Sequence, residues 1–367
     1  MGKLLSYEAE RLTSSVINIA SLNILNSGLW ALDYLYGVVC KTHSLEVVEF
    51  TPLPSGSGVQ MLWRNPEGFR VRSGEYVKVQ LPWLPKGSNE WHPFSVYLKE
   101  KTQVGLDSLV QMPDSTIWND TSNGATDNIH LEFFVDKVLK SEFRANLITS
   151  SIVHEAREDL SDRYKTTQVF ICAVGDWSES LVNSISNEHR ASWVRGPFTS
   201  PYHVAQDFSH LVLVASGIGI TPALGVMGQY PGFSRTKILM WSTRDLDMLK
   251  FFAPLLNDAH FAIIFYTGKT KLSASDITEF DLYGNIYIQI GRPKKPNGLD
   301  VIISCVIVKL EHIFDPFGEK RSLEDLELLR KQAWCVLYCG GAKAVVEELT
   351  EFTTKHQIGW EFEQFDW

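Results

Sequence analysis

A turn able to hold a phosphate is written into Leu211-Val212-Leu213-Val214-Ala215-Ser216-Gly217-Ile218-Gly219-Ile220-Thr221-Pro222. The apolar β-branched run has the pattern of a buried parallel strand. Gly217 and Gly219 follow at once as G-x-G, and Thr221 and Pro222 stand where a helix N-cap and first helical residue belong. Such a strand, turn and helix start offer bare N–H groups and a positive dipole end to an anion, with no Cβ in the way. The same spacing also serves ordinary βα turns, so the reading needs a partner elsewhere in the chain. Arg244 supplies one, in Trp241-Ser242-Thr243-Arg244-Asp245 at the end of the next strand. In dinucleotide folds an acid at that place binds a ribose 2′-OH, whereas an Arg accommodates a 2′-phosphate. The guanidinium fork suits a phosphate, and the adjacent Asp245 leaves the ribose alternative open. Arg292, in Gly291-Arg292-Pro293, puts a second cation at another strand end.

The surrounding pattern says which elements hold these residues. Lys237 to Trp241, Phe261 to Tyr266, Ile286 to Ile290 and Trp334 to Cys339 read as strands. Leu246 to Leu256, Leu323 to Gln332 and Ala342 to Lys355 read as helices. Alternation of this kind predicts a doubly wound parallel sheet. Upstream the pattern is all-β. Leu45 to Phe50, Val59 to Arg64 and Tyr76 to Leu81 are strands between Pro/Gly clusters, which predicts a small antiparallel barrel. Lys99 to Asn128 is polar and turn-rich, Val138 to Glu158 is partly helical, and Val169 to Val174 is a strand running into Gly175-Asp176-Trp177-Ser178.

A chain of 367 residues favours two domains. A net charge of -9 without a basic block argues against nucleic acid as a partner. The five cysteines include no C-x-x-C, which suits a reducing compartment, and the ten histidines are scattered, so no metal site is expected. No secretory signal follows Met1, although Met1-Gly2 with Ser6 fits the short myristoylation pattern. Leu12 to Leu32 carries no charge but is dotted with Ser, Asn and Gly, which favours a membrane-surface helix over a span. That helix is expected to end before Gly37.

One ordered set of motifs runs through both halves. Trp91-His92-Pro93-Phe94-Ser95 is followed by Gly175-Asp176-Trp177-Ser178, Gly196-Pro197-Phe198, the G-x-G turn, Trp241 to Asp245, and Tyr338-Cys339-Gly340-Gly341. The set resembles the dehydrogenase half of the NADPH oxidase and ferric reductase family, within the ferredoxin–NADP reductase fold, from about Ala31 to the C-terminus. The resemblance implies that His92, Pro93, Phe94 and Ser95 bind FAD, with the Ser95 hydroxyl near the flavin N5. It implies that Gly175, Trp177 and Ser178 lie on the ribityl and pyrophosphate. Gly196, Pro197 and Phe198 form the turn between domains. Gly217, Gly219, Thr221, Pro222, Arg244 and Arg292 are the expected NADPH contacts, and the resemblance implies that Cys339 and Gly340 lie beside the nicotinamide and that Trp367 covers the flavin or packs a final strand.

The chain departs from the pattern in four places. Cys172 stands where a basic residue often precedes the second motif, Thr199 replaces a glycine, Gly341 replaces a proline, and the first two motifs are unusually far apart. The expected architecture is an antiparallel β-barrel FAD-binding domain over 38–205, with an inserted loop over about 99–165. An α/β doubly wound NADPH-binding domain over 206–367 follows, behind a helical segment over 1–37. The resemblance implies hydride transfer from NADPH to FAD and single electrons to an unidentified acceptor, such as a haem-carrying membrane subunit, a ferric chelate or oxygen. It implies a location in the cytoplasm or on the cytoplasmic side of a membrane. Cys172 and Thr199 instead suit a non-catalytic regulatory paralogue that keeps the fold.

Overall fold

The computed structural model describes residues 25–32, 34–72, 74–98, 117–118, 166–185, 190–229, 236–281, 285–292, 303, 307 and 333–364. The first half builds two antiparallel sheets. One runs β1 (Thr42–Leu45), β8 (Ser192–Thr199), β4 (Glu75–Gln80), β5 (His92–Ser95); the other runs β2 (Val48–Pro52), β3 (Gly58–Arg64), β7 (Thr166–Cys172). Their inner faces enclose Val59, Met61, Trp63, Val77, Val79 and Val194. In β4, buried Val77 and Val79 alternate with half-exposed Tyr76, Lys78 and Gln80, so the latter three stand on the outer face. The single strand expected over Leu45 to Phe50 is in fact two, broken at 46–47, because the chain passes from one sheet to the other there.

The second half is a parallel sheet in the order β14 (Gly359–Glu363), β13 (Trp334–Cys339), β9 (His210–Ser216), β10 (Thr236–Thr243), β11 (Phe261–Tyr266), β12 (Ile286–Ile290). β6 (Ile117–Trp118), inside the insertion, pairs with β12 and extends the sheet. The central strands read as unbroken apolar runs because both faces are covered, each by its own cluster of buried side chains. Past the N-terminal segment, the named helices among the described residues are α1 (Asp176–Ser184), α2 (Ile220–Gln229), α3 (Leu246–Phe252), α4 (Ala274–Asp281) and α5 (Lys343–His356). An antiparallel barrel followed by a doubly wound sheet is the architecture expected from the sequence.

The two halves share one hydrophobic cluster. Leu53, Tyr97 and Phe170 of the barrel pack with Leu224, Trp241 and Phe252. The halves approach closely at α2, where a Cβ on Gly225 would lie 2.7 Å from the Val96 carbonyl oxygen, one residue beyond Ser95. Residues 25–32 and 34–40 are helical, so the N-terminal segment runs through Gly37 instead of stopping before it. Among the described residues, no helix is long and apolar enough to cross a membrane. Trp367, Val138 to Glu158, Leu323 to Gln332 and nearly all of 99–165 lie outside the described residues.

Candidate functional site

Strand order fixes where a ligand can sit. From β9 the chain builds outward to β12 on one side and to β13 and β14 on the other, so the order reverses between β9 and β13. The crevice beyond the carboxyl ends of strands at such a reversal is the usual ligand site of open α/β sheets. Two glycine turns meet there. Gly217 and Gly219 leave β9, and Cys339 and Gly340 end β13. A Cβ on Gly219 would fall 2.7 Å from the Cys339 carbonyl carbon, so only glycine lets the turns close on each other. Gly217 is exposed, holds φ +55 and has nothing within 4 Å of a would-be Cβ, which leaves bare backbone open to a ligand. The Gly217 carbonyl accepts from the Trp241 indole N–H at 2.8 Å, tying the turn to β10.

Thr221 and Pro222 do not occupy the expected capping positions. The left-handed turn at Gly217 is tight enough for the chain to enter a 3-10 turn over Gly217–Gly219 and to become α-helical at Ile220. Thr221 and Pro222 therefore lie inside the first helical turn, buried. Thr221 is four residues from Gly225 and shares its helix face, which abuts the barrel beside Ser95.

Arg244 follows β10, exposed and without an ion pair among the described residues. Asp245 beside it is the N-cap of α3, its carboxylate accepting from the Asp247 and Met248 N–H groups at 2.9 and 3.1 Å. Local capping thus employs the acid that the sequence left open for a ribose. Arg292 is exposed beyond β12, two strands further out and about 10 Å away by strand spacing.

On the barrel side, β5 pairs with β4 so that Ser95 faces Tyr76 and Phe94 faces Val77. Tyr76 stacks on Phe198, with ring centroids 5.2 Å apart. His92 and Phe94 lie against the buried Trp177 ring at 4.3 and 5.8 Å, and the His92 Nε2 is 2.9 Å from a Glu90 carboxylate oxygen. Pro93 is the exposed member of the strand. Gly196 is held by its N–H donating to the Lys41 carbonyl at 3.0 Å, and Pro197 follows through a cis peptide bond.

The turn at Gly175 opens α1. Ser178 Oγ accepts from the Val174 and Gly175 N–H groups at 3.0 and 3.1 Å and donates to the Gly175 carbonyl at 2.9 Å. Gly175 itself is exposed, with open space where a Cβ would stand. Cys172 ends β7 half-buried, and burial pushes its thiol up from the ordinary range; a thiol in this place supplies no cation at any pH.

The sequence reading missed Glu363. It ends β14 directly opposite Cys339 in the register. Its Oε2 is buried without a hydrogen-bond partner, and burial raises its pKa above the usual carboxylate range. Burial first, and the Glu363 charge second, raise both the Cys339 thiol and the Tyr76 phenol, so all three groups converge where the halves meet. An unsatisfied carboxyl beside open glycine backbone and a serine-bearing strand fits a polar, planar cofactor better than a closed core. The residues present therefore suit the flavin and nicotinamide that the resemblance implies.

Together the described residues form an antiparallel barrel and a doubly wound sheet, with a crevice at the reversal of strand order. No protein-family model matches the chain. In sequence it is similar to human NADPH oxidase 4, 23% identical over 237 residues, 63% of this chain and 32% of that protein. It is also similar to ferric reduction oxidase 7, chloroplastic, of Arabidopsis thaliana, 26% identical over 204 residues, 54% of this chain and 20% of that protein. Among solved structures, the Amycolatopsis cytochrome P450 reductase GcoB aligns at a TM-score of 0.45 and 14% identity, over 88% of this chain and 70% of that one. The chain spans from 15% to 46% of the length of the curated relatives it matches. The similarity to NADPH oxidases and ferric reductases is the one expected from the motifs.

Proposed function

We propose that the chain is a flavin-dependent oxidoreductase module using NADPH. FAD and NADPH, when bound, supply the redox chemistry: hydride passes from nicotinamide to flavin, and electrons leave singly. The chain's own residues align and shield the partners. Ser95 presents its hydroxyl from the barrel strand that abuts α2, and Phe94 and His92, backed by Trp177, form an aromatic wall. Gly217 leaves backbone open to a ligand, Gly219 and Gly340 let the two turns pack closely, and Arg244 offers a guanidinium fork beyond the next strand. Cys339 is a protonated, buried thiol, which suits an apolar neighbour of a nicotinamide ring and not a nucleophile. Glu363, its pKa raised by burial, stands beside the same crevice. The observation that carries the reading is the meeting of the two glycine turns with this unpaired carboxyl, within reach of the Ser95 strand. The acceptor we propose is a haem-carrying membrane partner, with a ferric chelate or oxygen as other one-electron sinks, met on the cytoplasmic side.

One observation favours a second reading, a paralogue that keeps the fold without the flavin. The Gly175 turn lacks a cation at Cys172, and its Ser178 hydroxyl is already employed internally. Equilibrating the purified chain with FAD and recording the visible spectrum of the desalted protein separates the two. Retained flavin bands, lost in Gly175→Glu, support the oxidoreductase; a colourless protein supports the paralogue.

A further inference from the structure

The stretch before β5 is laid across the start of α1. Gly87 stands at φ +71, and a Cβ there would lie 2.6 Å from Trp177 Cδ1 and 3.0 Å from Glu90 Oε2. Glycine at this point lets the chain turn tightly against the Trp177 ring. The Glu90 N–H donates to the Gly87 carbonyl at 2.9 Å, and the Ser88 carbonyl accepts from the Gln80 side-chain amide at 3.0 Å. Lys86 Nζ is 3.8 Å from an Asp176 carboxylate oxygen. Trp91 lies under the Arg195 guanidinium at 4.1 Å. Residues 86–91 are thereby tied to β4, to β8 and to the first turn of α1.

These ties place the Glu90 carboxylate 2.9 Å from His92 Nε2. A carboxylate accepts, so Nε2 carries the hydrogen and donates it. The His92 ring also rests on Trp177, with centroids 4.3 Å apart. Carboxylate and indole together fix the orientation of the ring and the hydrogen on Nε2. Nδ1 is then the acceptor of the neutral ring. It makes no hydrogen bond among the described residues, and the side chain is 33% exposed, so this nitrogen is open to a ligand. Polar side chains are scarce nearby. The Ser178 hydroxyl is bonded within its own turn, and a thiol stands at Cys172. Glu90 is exposed, and an exposed pair of this kind adds little to stability. Orientation is what it contributes.

We propose that Glu90 is a positioning residue for FAD, holding the His92 ring so that Nδ1 accepts from a hydroxyl of the FAD ribityl chain. Glu90 acts through His92 and does not itself touch the cofactor. The inference rests on the placement of FAD against the H-P-F-S strand.

The test is the affinity of the full chain for FAD, read from flavin fluorescence. Glu90→Leu should weaken binding roughly tenfold, the worth of one hydrogen bond. Glu90→Gln, whose side-chain carbonyl still accepts from Nε2, should bind within about twofold of the unaltered chain. In a His92→Ala background Glu90→Leu should cost nothing further, because the ring it acts through is gone. A second readout needs no cofactor. The His92 Nε2–H proton resonance, assigned by its loss in His92→Ala, should persist in Glu90→Gln and vanish in Glu90→Leu. Equal losses for Glu90→Leu with and without His92 would mean that Glu90 acts through the loop, and would overturn the proposal. So would unchanged affinity in Glu90→Leu, or an Nε2–H resonance that survives it. An unaltered chain that takes up no FAD removes this proposal together with the flavin reading, whereas FAD uptake indifferent to Glu90 removes this proposal alone.

Discussion

Arg244→Ala is expected to raise the KM for NADPH about tenfold to a hundredfold and to leave the KM for NADH nearly unchanged. The residue follows β10, the strand beside the glycine turn, at the place that chooses between ribose and 2′-phosphate. No ion pair among the described residues engages its guanidinium, and its acidic neighbour caps α3. Capping occupies one carboxylate oxygen of Asp245, and the Arg244 fork has the geometry to meet a phosphate. A hydrogen bond to a charged group contributes about 1.5–3 kcal/mol, and about 1.4 kcal/mol is one factor of ten. The kcat should hold, because the contact is the same in ground and transition states. Steady-state kinetics with both coenzymes check this. Equal losses for the two would make Arg244 structural and would remove the residue-level support for NADPH.

Gly219→Ala is expected to reduce both stability and turnover with NADPH. The new methyl would stand 2.7 Å from the Cys339 carbonyl carbon and 3.3 Å from its Sγ. The nearer obstacle is backbone at the end of a buried central strand, so it cannot swing aside. Overpacking of this kind costs about 1–3 kcal/mol, which lowers Tm by several degrees in a domain of this size. The larger effect falls on the site. The two turns it forces apart form the floor of the crevice, and a misplacement of about 1 Å can cost a hundredfold in rate. Calorimetry and stopped-flow reduction would measure the two separately. Unchanged Tm with unchanged reduction would mean that the turns part without consequence and that the close approach has no bearing on the chemistry.

What the sequence conveyed follows from where each element is buried. Phe261–Tyr266, Ile286–Ile290 and Trp334–Cys339 are legible to the residue, because a strand covered on both faces must be apolar throughout. The same apolar content hid the break after Leu45, since a short run does not say which sheet it joins. The helix start at Ile220 is hidden in the sequence because Thr221-Pro222 is a strong local capping signal, while the left-handed turn at Gly217 lets the helix begin two residues before Pro222. Glu363 was invisible for a similar reason. Within Trp360-Glu361-Phe362-Glu363 it alternates like a solvent-facing acid, and only the pairing of β14 with β13 brings it beside Cys339.

The most direct test of the central claim is anaerobic mixing of the FAD-loaded chain with NADPH while the oxidised flavin band is followed. The account predicts that the band bleaches, that NADH bleaches it less effectively, and that Ser95→Ala slows the loss while flavin stays bound. Flavin that binds tightly yet remains oxidised under excess NADPH would contradict it.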